Sequence, residues 1–196
     1  GSTVSNVGVH LEVAHGGETT ALEADLVLIA AGVQPNTDDL GLEESGVALD
    51  RGYVTVDSSM ATNVSGVYAI GDVTGILLLA HVAQAQGVLA VERIAGLESP
   101  DIDYDIMPRA TYCRPQVASF GLTEKQAVER GHRVKIGRFP FQASGKAQAM
   151  GDTEGMVKVV ADEEYGELLG VHMIGPEVTE LLGELSLGRL LEGTTH

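Results

Sequence analysis

Hydrophobic and polar positions alternate in short blocks from the start of the chain. Val7 to Val13 reads as a strand, followed by a turn at His15-Gly16-Gly17 and a second extended piece. Next comes the unalternating run Leu26-Val27-Leu28-Ile29-Ala30-Ala31, closed by Gly32, which is the pattern of a strand covered on both faces in a parallel sheet. Parallel neighbours are joined by crossover helices, and no helical period precedes this run, so its neighbours are expected outside these residues. The sequence therefore reads as the C-terminal part of something larger.

After Gln34-Pro35-Asn36, a turn-rich stretch leads through Asp50-Arg51-Gly52 to two β-branched and aromatic pieces, Tyr53 to Val56 and Val67 to Ile70. Both are expected as strands, the second ending at Gly71-Asp72. From about Leu79 to Ala95, Val82, Ala85, Val88, Leu89 and Val91 recur at helical spacing, and the mostly apolar surface predicts a helix buried between layers. Pro100 and the acidic residues between Gly96 and Asp105 mark a boundary. Beyond it, Pro108 to Leu122 reads as one extended piece. Thr123-Glu124-Lys125-Gln126 fits a capping box, with Gly131 as the stop of the short helix it opens. Extended segments follow over Arg133 to Phe141, Met156 to Ala161 and Glu167 to Ile174, the last two joined by a turn around Glu163 to Gly166. A final helix is expected to begin near Thr179. The pattern is an incomplete α/β portion followed by a separate α+β domain on an antiparallel sheet.

Charge and composition narrow the chemistry. With 12 Lys plus Arg against 28 Asp plus Glu in 196 residues, the net charge is −16, which repels a phosphate backbone and argues against a nucleic-acid partner. No apolar run approaches the ~20 residues that span a bilayer, and the start lacks the basic and apolar regions of a secretion signal, so no membrane partner and a cytoplasmic setting are expected. Cys113 is the single cysteine. It cannot form a disulfide within the chain, so dithiol chemistry needs sulfur from elsewhere, and core packing is its plainer role. The histidines at 10, 15, 81, 132, 172 and 196 lack metal-site spacing, and no metal is assigned. No Gly-x-Ser-x-Gly elbow or Gly-rich phosphate loop occurs.

The candidate chemistry lies around Tyr68-Ala69-Ile70-Gly71-Asp72. Ligands of open α/β sheets sit beyond the carboxyl ends of strands, where a glycine such as Gly71 admits a close backbone approach. The Asp72 carboxylate only accepts hydrogen bonds, which suits the hydroxyls of a sugar or ribityl chain, although Gly-Asp after a strand is also a common turn. The helix opening at Leu78-Leu79-Ala80-His81 directs free N–H groups and a positive dipole end to the same side, where a ring that gains negative charge on reduction would be stabilised. The plainer reading is a cap on a buried helix, with His81 held by backbone partners. Gly32 closes a strand in the same manner, either as a turn glycine or facing a nucleotide.

Ala61 to Val73, containing Thr62, Val67-Tyr68-Ala69 and Gly71-Asp72, resembles the second flavin-contacting motif of the pyridine nucleotide-disulfide oxidoreductases. Met107 to Glu124 is similar to the start of that family's interface domain. Phe139-Pro140-Phe141, Ala143, Lys146-Ala147, Gly151 to Gly155 and Leu169 to Pro176 narrow the resemblance to the branch acting on dihydrolipoyl groups. The resemblance implies residues 1–33 as the tail of an NAD-binding domain, 34–101 as the later part of a flavin-binding region, and 102–196 as a truncated dimerisation domain. It further implies FAD and NAD as cofactors, a homodimer, and the lipoyl domain of a 2-oxo acid dehydrogenase complex as partner. Carried over by position, Gly71 and Asp72 would hold the ribityl arm of FAD, Leu78, Leu79, Ala80 and His81 would line its pyrimidine edge, and Gly32 would face NAD. No catalytic residue transfers. The family's redox cysteine pair and its Gly-rich loops precede this stretch, and its acid/base histidine is not matched by His196. The chain alone is therefore expected to be inactive and to keep little flavin. Mercuric reductase, a soluble transhydrogenase and a non-catalytic dimerisation module are the alternatives.

Overall fold

The computed structural model describes residues 2–5 and 8–195, so Val7 and His196 lie outside the described residues. The chain divides into two compact units, 1–34 and 35–196.

In the first unit, β1 (Ser2–Ser5), β2 (Gly8–His15) and β3 (Glu18–Ala24) form an antiparallel sheet in that order. His15 pairs with Glu18 across a two-residue Gly16-Gly17 loop, the shortest connection that lets a hairpin keep its twist. The expected buried strand over Leu26 to Gly32 is not formed: these residues belong to no strand, and Leu28 and Ile29 are 83% and 86% exposed. A strand apolar on both faces is stable only with paired edges and covered faces, and no described strand pairs with this one.

The second unit opens with the two-residue strands β4 (Leu49–Asp50) and β5 (Tyr53–Val54), closed by Arg51-Gly52. The strand expected at Tyr53 to Val56 stops at Val54. Val67 to Ile70 contributes only an isolated bridge between Tyr68 and Ala61. Its backbone is engaged in turns instead: Val67 N–H reaches Val64 carbonyl, Val67 carbonyl accepts from Thr62 N–H, and Ala69 N–H reaches Met60 carbonyl, while in the preceding turn Asp57 Oδ1 accepts from Ser59 N–H, Ser59 Oγ and Ala61 N–H at 2.8, 2.6 and 3.0 Å. A single 3-10 turn (Gly71–Thr74) precedes α1 (Ala80–Ile94). Only one face of α1 is covered, through Val82, Gln86, Leu89 and Ala90. Val88, Val91 and Ile94, one turn apart on another face, are exposed, which corrects the expectation of a helix buried between layers.

The stretch read as one extended piece from Pro108 to Leu122 is a hairpin of β6 (Arg109–Thr111) and β7 (Gln116–Gly121), turning at a cis Arg114–Pro115 bond. The capping box forms as expected. Gln126 N–H donates to Thr123 Oγ1 at 3.2 Å and Thr123 N–H donates to Gln126 Oε1 at 2.9 Å, opening α2 (Glu124–Glu129). Then come β8 (Val134–Pro140), α3 (Gly145–Met150), β9 (Met156–Asp162), β10 (Leu168–Gly175) and α4 (Leu182–Leu190). The last helix starts later than Thr179: Glu180, Leu181 and Leu182 N–H each bond the carbonyl three residues back, so this stretch runs as tight turns, and the Thr179 hydroxyl and N–H are tied to β7 through Gln116 Oε1 at 2.8 and 3.2 Å.

These strands form one antiparallel sheet in the order β6-β7-β10-β9-β8. Ala118, Phe120, Val171 and Met173 pack on one face against Val178 and Leu182. A second cluster joins Leu122, Val160 and Leu169 to Ala127 of α2. Period-2 alternation along β7 thus buries Ala118 and Phe120 beneath the α4 segment.

Candidate functional site

The turn carrying Asp72 is held through its backbone. Gly71 has φ +77°, and an ideal Cβ there would lie 3.3 Å from Ala83 Cβ, so glycine lets the turn seat on the first turns of α1. The Gly71 N–H donates to Gln86 Oε1 at 2.7 Å and its carbonyl accepts from Thr74 Oγ1 at 2.8 Å. The Asp72 carbonyl accepts from Gly75 N–H at 3.0 Å. Gly75, at φ +71°, lies against the Tyr53 ring, where an added Cβ would fall 2.8 Å from Tyr53 Cγ. With the main chain fixed on both sides, the Asp72 residue is left exposed.

Beside it, α1 begins without a side-chain cap at Leu79. The Leu79 carbonyl takes the Ala83 N–H at 3.0 Å, while the N–H groups of the first turn have no intrahelical acceptor. Leu78, Ala80 and His81 are exposed and Leu79 is half-buried. The His81 ring is oriented through one nitrogen: Nε2 lies 2.8 Å from Pro108 carbonyl, which only accepts, so Nε2 carries the hydrogen. Gly71, Asp72 and Leu78 to His81 are thus assembled by one turn and one helix start. Gly32 belongs to the first unit, where it is exposed at φ +111° with open space on its Cβ side.

The exposed Asp72 carboxylate accepts hydrogen bonds, and the free first-turn N–H groups of the helix on which its turn packs donate them, with the helix dipole adding positive potential at that end. Upstream, the Ser59 hydroxyl, followed by Ala61 N–H, holds the Asp57 carboxyl below its ordinary range and keeps the turn before Ala61 charged and ordered.

Sequence reading missed Gln86, Thr74 and Tyr104. The available signal was Gln86 itself, a lone amide on the helix face shared by Val82, Leu89 and Ala90. Its partners, Gly71 N–H and Tyr104 hydroxyl, lie 15 and 18 residues away, and only the fold brings them together.

Residues 2–87 match the family model described as pyridine nucleotide-disulphide oxidoreductase, and residues 107–195 match the dimerisation domain of the same family. The chain belongs to the pyridine nucleotide-disulphide oxidoreductases. Within them, it is 56% identical over 95% of its length to the dihydrolipoyl dehydrogenase of Mycobacterium leprae, of which it covers 41%. It is 50% identical to that of Corynebacterium glutamicum, over 91% of this chain and 39% of the relative, and 43% identical to that of Bacillus subtilis, over 98% and 40%. The chain therefore spans about 40% of the length of these curated relatives. Among solved structures, LpdA of Mycobacterium tuberculosis aligns at a TM-score of 0.86 and 28% identity, over 98% of this chain and 42% of that one. The HOCl-induced flavoprotein disulfide reductase RclA of Escherichia coli aligns at 0.83 and 25%, over 98% and 44%. The order of an oxidoreductase portion followed by a dimerisation domain on an antiparallel sheet is borne out. Among the described residues, no helix is long and apolar enough to cross a membrane.

Proposed function

We propose that these residues belong to a dihydrolipoyl dehydrogenase, an FAD-dependent enzyme that oxidises the dihydrolipoyl group of a 2-oxo acid dehydrogenase complex and reduces NAD. The observation that carries this reading is the outward Asp72 carboxylate beside the uncapped start of α1, in a chain 56% identical to one such enzyme. Asp72 would accept hydrogen bonds from the ribityl hydroxyls. The first-turn N–H groups after Leu79 would meet the pyrimidine edge and favour negative charge there. FAD, when bound, supplies two-electron transfer between a thiol pair and a nicotinamide. Gly32, with no side chain, would let the nicotinamide nucleotide approach the backbone of the first unit.

Cys113 is exposed and single, so the reacting disulfide is not supplied by these residues. A free thiol of this kind suits a reducing, cytoplasmic setting. The sheet from β6 to β8 would serve a homodimer, with the lipoyl domain as the partner bringing substrate.

The test joins this chain to the N-terminal portion of a dihydrolipoyl dehydrogenase and follows NADH formation from dihydrolipoamide. The chimera is expected to be yellow and active, the 196-residue chain alone inactive, and Asp72→Ala in the chimera colourless. Turnover by the 196 residues alone, or a chimera that keeps its flavin without Asp72, contradicts the reading. A second reading, a dimerisation module without catalysis, is favoured by the self-contained core under β7 and β10, and it predicts a colourless dimer that the chimera does not activate.

A further inference from the structure

Gln86 is fully buried, 0% exposed, on the otherwise apolar covered face of α1. An amide in such a place is costly unless both its ends are bonded. Its Oε1 accepts the Gly71 N–H at 2.7 Å and its Nε2 donates to the Tyr104 hydroxyl at 3.0 Å. A peptide N–H only donates, so the oxygen end has to face Gly71, and chemistry fixes the orientation of the amide. Gly71 immediately precedes Asp72 and has no side chain of its own to hold it at φ +77°. Its conformation is set by two bonds, from Gln86 on the N–H and from Thr74 on the carbonyl. Asp57, the nearest carboxylate upstream, is spent on its own turn, and His81 on Pro108.

We propose that Gln86 is a positioning residue. It sets the Gly71 peptide so that the Asp72 carboxylate faces outward beside the start of α1, and through Tyr104 it anchors that setting to the segment entering β6. The role of Asp72 toward a flavin rests on the reading given under Proposed function; the setting of the Gly71 peptide does not. Methionine at 86 keeps the length and removes the acceptor. Glutamate restores an acceptor for Gly71, and the Tyr104 hydroxyl can reverse to donate to it.

The experiment measures amide hydrogen exchange on the full chain, and FAD fluorescence quenching on the chimera described above, for wild type, Gln86→Met and Gln86→Glu. In Gln86→Met the Gly71 amide is expected to exchange about ten- to a hundredfold faster, with Val171 in the sheet core unchanged. The apparent Kd for FAD should rise about tenfold, and Gln86→Glu should recover both values at neutral pH. Unchanged exchange at Gly71 in Gln86→Met overturns the proposal. So does equal acceleration at Gly71 and Val171, a Gln86→Glu variant as fast as Gln86→Met, or a wild type that binds FAD with a Kd indifferent to Gln86→Met. If the chimera with Gln86 in place shows no quenching at all, the flavin reading fails, while exchange at Gly71 still decides whether Gln86 positions the turn.

Discussion

Replacing Gly75 by alanine loads two separable costs onto the turn that carries Asp72. At φ +71° an L-residue is in left-handed space, which costs about 1–2 kcal/mol. The new Cβ would also lie 2.8, 2.9 and 3.2 Å from Tyr53 Cγ, Cδ1 and Cδ2. Carbon atoms prefer about 3.5–4.0 Å, so the ring has to move, and overpacking of this kind costs about 1–3 kcal/mol. The sum is about 2–5 kcal/mol, a large share of the roughly 5–15 kcal/mol that a folded domain has. The assay is urea denaturation followed by circular dichroism for wild type, Gly75→Ala, Tyr53→Ala and the double variant. Without the ring only the backbone cost remains, so the cycle should return a coupling of about 1–3 kcal/mol between positions 53 and 75. A Gly75→Ala cost under about 1 kcal/mol, or one identical in both backgrounds, would refute the reasoning.

Two further outcomes follow from packing and charge. Phe120→Ala empties the centre of the cluster formed with Ala118, Val171, Met173, Val178 and Leu182, and should cost about 3–5 kcal/mol in the same denaturation assay. Asp57 is held below its ordinary carboxylate range, first by the Ser59 hydroxyl. Its contribution is thus complete above the unfolded pKa of about 3.9 and is lost as pH falls through the lowered folded value. Asp57→Asn should lower stability near neutral pH and converge on wild type in acid; a gap that widens in acid would contradict this.

Local rules carried the reading where a signal and its partner lie close in sequence. The helix expected from Leu79 to Ala95 is observed over Ala80–Ile94, and Thr123 meets Gln126 three residues on. The run from Leu26 to Ala31 has the composition of a covered strand, yet composition cannot provide the partner strands on which such a strand depends. Val67 to Ile70 has strand chemistry too, but its hydrogen bonds go to turns around Met60. The short helix α3 was missed although Ser144, which caps Ala147 N–H at 3.4 Å, precedes Gly145 and Lys146. The exposed turn at Gly71-Asp72 was legible because it sits inside a contiguous motif. Gln86 was not, because its meaning lies in two partners that only tertiary structure supplies.

The order β6-β7-β10-β9-β8 leaves the outermost strands with unlike defences. At one margin β6 is only three residues long. At the other, β8 carries Lys135 and Arg138 and ends on Pro140, which has no N–H to give an incoming strand. Neither margin offers a long uncharged template, so lateral growth of this sheet into ribbons or fibres is disfavoured.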